Sequence, residues 1–334
     1  MQLQQLRSLA AALCLCTGAL AQSVQVDPKI PDYKPVEGVS GTIKSVGSDS
    51  MNNLMTLWIE GFRSSYPNVV PEIEGKGSST APPALIAGTA SFGPMSRTMK
   101  DKEIADFEKA FGYKPTAIPT AIDMLGVYVN KDNPIASMTM QQVDAIFSKT
   151  RNGGLTADIV KWGDLGLTGE WADKPISLYG RNAASWTYGY FKEHALAKGD
   201  FKDSVKEQPG SSAVVQAVAS DKYGIGYSGI GYLTADVRAV SLAKDAKSAV
   251  IEPKVENAYA NTYPMARFLY VYVNLKPGTQ LDPLRREFLR FVLSKKGQEV
   301  VVKDGYFPLT VKVVDNSLRA IGLEGIAIEA KATK

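Results

Sequence analysis

Cysteine and histidine are nearly absent from this chain, and no apolar run is long. Its two cysteines, Cys14 and Cys16, both fall in the first 16 residues, and the single histidine is His194. With so few soft ligands, metal chemistry is poorly supplied, so neither a metal nor a cofactor is expected. Nucleophilic catalysis is disfavoured on the same ground, because a serine nucleophile needs a base held by a third group and only His194 is on offer. No basic stripe with interleaved aromatics exists either: lysine and arginine are scattered among acids, which argues against nucleic acid as a partner. The apolar run from Ser8 to Leu20 falls short of the roughly 20 residues that span a bilayer.

That run has another reading. It follows a lone positive charge at Arg7 and ends in Ala19-Leu20-Ala21, the small-x-small pattern of a signal-peptidase site. Residues 1–21 are therefore expected to be a cleaved secretory signal, which sends the mature protein to an oxidising compartment. Neither cysteine has the small-residue context of a lipidated one, so the mature chain would keep none. It would carry 37 basic against 34 acidic residues. Export without disulfides requires a self-sufficient core, and more than 300 residues can provide one, divided into two lobes of ordinary size.

Residues 22–40 carry Pro28, Pro31 and Pro35 without apolar periodicity and read as an extended or flexible arm. From Gly41 onward, β-rich runs alternate with helical ones (41–46, 54–66, 69–74, 81–87), the pattern of βαβ units and largely parallel sheets. Gly126-Val127-Tyr128-Val129-Asn130 and Tyr270-Val271-Tyr272-Val273-Asn274 resemble each other and suggest two paired crossover strands. A chain that leaves one lobe by the first and returns by the second gives a discontinuous lobe of residues 41–123 and 264–334 around a second lobe of 124–263. Further helices are expected over 141–149, 184–198, 284–293, 296–303 and 315–321, and strands over 176–179 and 224–227.

Four segments place small hydroxyl residues where a strand or loop gives way to a helix: Gly47-Ser48-Asp49-Ser50-Met51, Gly75-Lys76-Gly77-Ser78-Ser79-Thr80, Gly93-Pro94-Met95-Ser96-Arg97 and Arg181-Asn182-Ala183-Ala184-Ser185-Trp186-Thr187. Helix starts offer unpaired N–H groups and the positive end of the dipole, and hydroxyls add donors, which together suit an anion. Simple helix capping accounts for any one of them alone.

In their order and spacing these segments resemble the phosphate-binding proteins of bacterial phosphate ABC transporters, members of the type II periplasmic binding protein family. Ile146-Phe147-Ser148, the Trp162-x-Asp164-Leu165 turn and Gly224-Ile225-Gly226-Tyr227 fall in the same order. The resemblance implies an α/β fold of two lobes, each a mainly parallel sheet flanked by helices, joined by two crossover strands. It implies a non-catalytic monomer that closes about a hinge on inorganic phosphate and delivers it to a membrane permease. Ser48, Ser50 and Met51 would supply donors from the first loop, Ser78 and Ser79 from the second, and Ser96 from the third, beside Arg97. Arg181, Ser185, Trp186 and Thr187 would come from the opposite lobe, Arg181 bringing full charge in a planar fork. Many relatives have aspartate in place of Ser96, and Ala183 and Trp186 stand where an Asp and a Gly are usual. With those acids gone, Asp49 is the expected acceptor for the phosphate proton, and Asp123 the next. Sulfate or molybdate binding, a secreted serine hydrolase or phosphatase, and an adhesin on the same fold are the alternatives.

Overall fold

The computed structural model describes residues 24–325; the expected signal, with both cysteines, lies outside them. In chain order the first elements are β1 (Gly41–Gly47), α1 (Asn52–Arg63), β2 (Val69–Gly75), α2 (Ala81–Ile86), β3 (Gly93–Met95), α3 (Asp101–Phe111) and β4 (Thr116–Asn130). Then follow β5 (Ser137–Thr139), α4 (Met140–Phe147), β6 (Ser177–Arg181), α5 (Trp186–His194), β7 (Lys206–Gln208), α6 (Ser211–Ser220) and β8 (Gly224–Gly229). The chain finishes with β9 (Val237–Ala239), β10 (Ser241–Ala243), β11 (Val250–Ile251), α7 (Val255–Tyr259), β12 (Ala266–Val273), α8 (Pro283–Val292), α9 (Lys295–Lys303) and α10 (Val311–Ala320).

Pairs made by βαβ connections are parallel, as the alternating pattern implies: β1 with β2, and β6 with both β7 and β8. In the largest sheet the antiparallel component enters through the two long strands, since β12 runs antiparallel to β3 and β4, and β4 runs antiparallel to β8 and β9. Fifteen residues long, β4 changes partners along its length: Thr116 to Met124 pair with β12, and Leu125 to Asn130 pair with β8 and β9. The two look-alike segments are thus not partners of each other. Tyr270–Val273 lies against Thr116–Pro119, whereas Gly126–Asn130 lies against β8 and β9, and a bulge at Leu269/Tyr270 adjusts the register.

Each half of this frame has its own aromatic centre. In α1, Leu54, Met55, Trp58, Ile59 and Phe62 repeat at helical spacing and are buried. Phe62 meets Phe288 of α8 at 5.5 Å, and Phe288 meets Phe92 at 5.0 Å. On the other side, Phe191 of α5 stacks on Tyr227 of β8 at 3.8 Å, with Phe147 of α4 edge-on at 5.2 Å from Phe191. The Trp162 turn is structural: its indole is buried and donates to the Tyr223 carbonyl at 3.1 Å, while Asp164 accepts from the Val160 and Lys161 amides.

The arm departs from the flexible expectation. It has no helix or strand, yet Ile30 is buried, Tyr33 donates to Glu287 and bonds Tyr66, the Pro31 carbonyl accepts from Lys295, and Asp27 accepts from the Val311 amide. Proline-rich extended chain is here a strap over α1, α8 and α10, held by side-chain contacts that local pattern cannot show. Among the described residues no helix is long and apolar enough to cross a membrane.

Candidate functional site

Three loops meet first on one side of the molecule. Ser48 donates its amide to the Pro94 carbonyl at 2.8 Å, and Gly77 donates to the Gly47 carbonyl at 2.9 Å, so the loops after β1, β2 and β3 are stitched backbone to backbone. Gly47 permits this approach, since a Cβ there would sit 2.1 Å from the Pro94 oxygen. Gly77 allows the second loop to turn at φ +108°. The Ser96 amide donates to Ser78 Oγ at 3.1 Å, and the two hydroxyls lie 3.3 Å apart.

Across a cleft of about 380 Å³, the start of α5 faces these loops. Ser185 caps that helix, accepting from the Thr187 amide at 3.1 Å. Asp49, Ser50, Ser78, Ser96, Arg97, Ser185 and Trp186 all line the cleft, which brings together members of all four segments. Gly77, Tyr190, Glu193, His194 and Arg267 line it too.

Other expected residues are placed elsewhere. Met51 is in the core with its amide turned onto the Ser48 carbonyl, Thr187 is buried behind its cap, and the exposed Ser79 is not part of the lining. Ser48 is buried just below, and its Oγ has no partner among the described residues. Arg181, at the end of β6, also lies behind the lining: one terminal amino group donates to Ser211 Oγ at 2.9 Å, and its buried Nε has no partner among the described residues. A buried donor left unpaired costs about 1–3 kcal/mol.

The charges are arranged unevenly. Glu103 takes both terminal amino groups of Arg97 at 2.8 Å each, and that bond holds its carboxyl below the usual range. Asp49 stands in the lining. Asp123 does not: its carboxylate is buried and bonded to Arg267 Nε at 3.1 Å, and burial pushes it up to about 6 against the opposing pull of that arginine. His194 keeps 38% of its side chain exposed, but its ring packs 4.4 Å from that of Tyr190. Desolvation, helped by the charge of Arg267, lowers its pKa, so it is neutral at pH 7. His194 borders the cleft rather than standing in open solvent as its Lys- and Glu-rich surroundings suggest, yet its closest carboxylate, on Glu193, is 4.0 Å away. Among the described residues no serine bonds to the imidazole.

Trp186 answers the question its substitution for glycine raises. Its indole packs on the ring of Tyr306 at 5.4 Å, and the Tyr306 hydroxyl donates to the Ser50 carbonyl at 2.9 Å. The fourth loop therefore leans on the residue that braces the first. Tyr190, Arg267 and Tyr306 carried no local signal of their own.

Among the described residues no group of three or more His, Cys, Asp or Glu is placed to hold a metal ion. A family profile, the PBP superfamily domain, matches residues 34–296. A phosphate-binding protein, PstS, of Pseudomonas aeruginosa is 55% identical over 97% of this chain and the whole of its own length. The solved structure of a possible phosphate binding protein from Planctomyces limnophilus has a TM-score of 0.73 at 27% identity, covering 85% of this chain and 99% of that one. An ABC-type phosphate transport receptor from Vibrio cholerae shares the fold, with a TM-score of 0.63 at 21% identity over 80% of this chain and all of its own. By profile, by identity over nearly its full length and by its two-lobed α/β fold, the chain belongs to the PBP superfamily and, within it, to the family of the phosphate-binding proteins.

Proposed function

We propose that this protein is the periplasmic substrate-binding component of a phosphate ABC transporter, a monomer that captures inorganic phosphate in the cleft and passes it to the membrane permease. The observation that carries the reading is the meeting of hydroxyls from four separate segments, Ser50, Ser78, Ser96 and Ser185, around one cleft. A tetrahedral anion can accept a bond from each of them, whereas capping alone gives no reason for the four helix starts to converge.

The change of partners in β4 at Met124/Leu125, beside the start of β12, supports a division into one lobe of residues 41–123 and 264–334 and another of 124–263. Closing the lobes about that crossing would carry Ser185 and Arg181 toward the three stitched loops. The orphaned Nε favours Arg181 as a charged donor to the anion, with Ser48 and Thr187 behind the hydroxyl ring. Asp49, between two of the donor serines, is the acceptor best placed for the proton that phosphate carries and sulfate lacks. That bond would separate two anions of equal size, because the wrong one leaves a buried group unpaired or repelled.

A ligand that binds only the folded protein must raise its melting temperature. At a hundredfold excess over Kd the gain is about 2.7 kcal/mol, or roughly 5–10 °C for lobes of this size. Phosphate should produce that shift in thermal melts of the mature protein, and sulfate and molybdate should produce less. An indifferent melting curve would favour an adhesin, and a larger shift with sulfate or molybdate would reassign the ligand.

A further inference from the structure

Three arginines surround the cleft, and their hydrogen-bonding capacity differs. Glu103 occupies both amino ends of Arg97, and Arg181 spends one on Ser211. Arg267, the second residue of β12, lies directly opposite Asp123 in β4 and gives that carboxylate only its Nε. Its guanidinium carbon lies over the Tyr190 ring, 3.9 Å from the centroid. Neither of its two terminal amino groups bonds to any described residue, and the side chain, 13% exposed, opens onto the cleft. An arginine clamped by a buried carboxylate on one edge and an aromatic face beneath has lost its rotamer freedom before any ligand arrives. What remains is a fixed fork of two donors, the geometry that matches two oxygens of one oxyanion.

We propose that Arg267 is a further anion-contacting residue of the cleft, a second guanidinium fork that bonds the bound oxyanion from the floor of the crossing while Ser50, Ser78, Ser96 and Ser185 bond it from the sides. This rests on the reading of the cleft as a phosphate site. The position suits the task, because β12 and β4 meet where β4 changes partners, so a donor fixed there need not travel with either side as the cleft closes. Asp123 acts as a positioning residue: it holds the fork and takes none of its outward donors.

A purely structural Arg267 would serve only to neutralise buried Asp123, and a pair of variants separates the two roles. Inorganic phosphate is titrated calorimetrically into the native protein, Arg267→Met, Arg267→Lys and the double variant Asp123→Asn/Arg267→Met, each checked by thermal melting. Arg267→Met keeps the apolar stem on Tyr190, removes the fork and strands a carboxylate near the anion; phosphate should weaken at least a hundredfold. The double variant leaves no stranded charge and should still bind at least tenfold more weakly than native protein, with Arg267→Lys falling between it and the native value. A double variant that binds phosphate as tightly as native protein would overturn the proposal. Native protein that binds no phosphate would instead sink the proposed function on which it rests, and that result is read in the first titration.

Discussion

Arg181→Ala should weaken phosphate binding by about 2–5 kcal/mol, the loss seen when one partner of a buried charged pair is truncated. That corresponds to roughly thirtyfold to several-thousandfold in Kd. The size of the effect follows from burial: Arg181 Nε is shielded and without a partner among the described residues, so a bound anion would gain a charged donor that water does not screen. Arg97→Ala is the control. Its fork is already closed by Glu103, so its removal should cost the anion little beyond a change in the surrounding field. Calorimetric titration of both variants with phosphate checks this. If Arg97→Ala abolishes binding while Arg181→Ala is neutral, the fourth segment has been placed wrongly, and Glu103 must release Arg97 on binding.

The second large effect is expected from a single methyl group. Gly47→Ala would put a Cβ against the Pro94 oxygen, at the point where the first and third donor loops are joined by the Ser48 amide. Backbone cannot swing aside as a side chain can, so β1 and β3 must part. Overpacking of this kind costs about 1–3 kcal/mol, which lowers Tm by several degrees. Since the same bond sets Ser48, Asp49 and Ser50 relative to Ser96, phosphate affinity should fall at least tenfold as well. Thermal melts and titrations on one preparation measure both. Native values for both would mean that the three loops are not held by this stitch.

The four hydroxyl-bearing segments were legible in the sequence because hydroxyls before helices are a local pattern, and each of them does stand at the start of an element or beside one. Convergence was not legible: the Ser78 hydroxyl accepts from the Ser96 amide, and the first loop reaches Pro94 through a backbone bond, both between segments separated in the chain. The alternation of strand and helix announced the parallel pairs, whereas the antiparallel role of β4 and β12 depends on one 15-residue strand serving two sets of partners, which no window of its sequence declares. Met51 and Thr187 illustrate the opposite limit. They sit beside cleft-lining residues in the chain, and the helical turn sends both side chains into the core. The bond from Tyr33 of the strap to Glu287, and the packing of Trp186 on Tyr306, are contacts between residues more than a hundred positions apart. Composition at either end gives no hint of its partner.

In competition calorimetry, phosphate is titrated into the mature native protein and into Asp49→Asn in the absence and presence of sulfate. Native protein should bind phosphate saturably and one to one with equimolar sulfate leaving that binding intact, and sulfate should begin to compete once the Asp49 carboxylate can no longer repel a fully ionised anion. Native protein that takes sulfate as readily as phosphate, or takes neither, would contradict it.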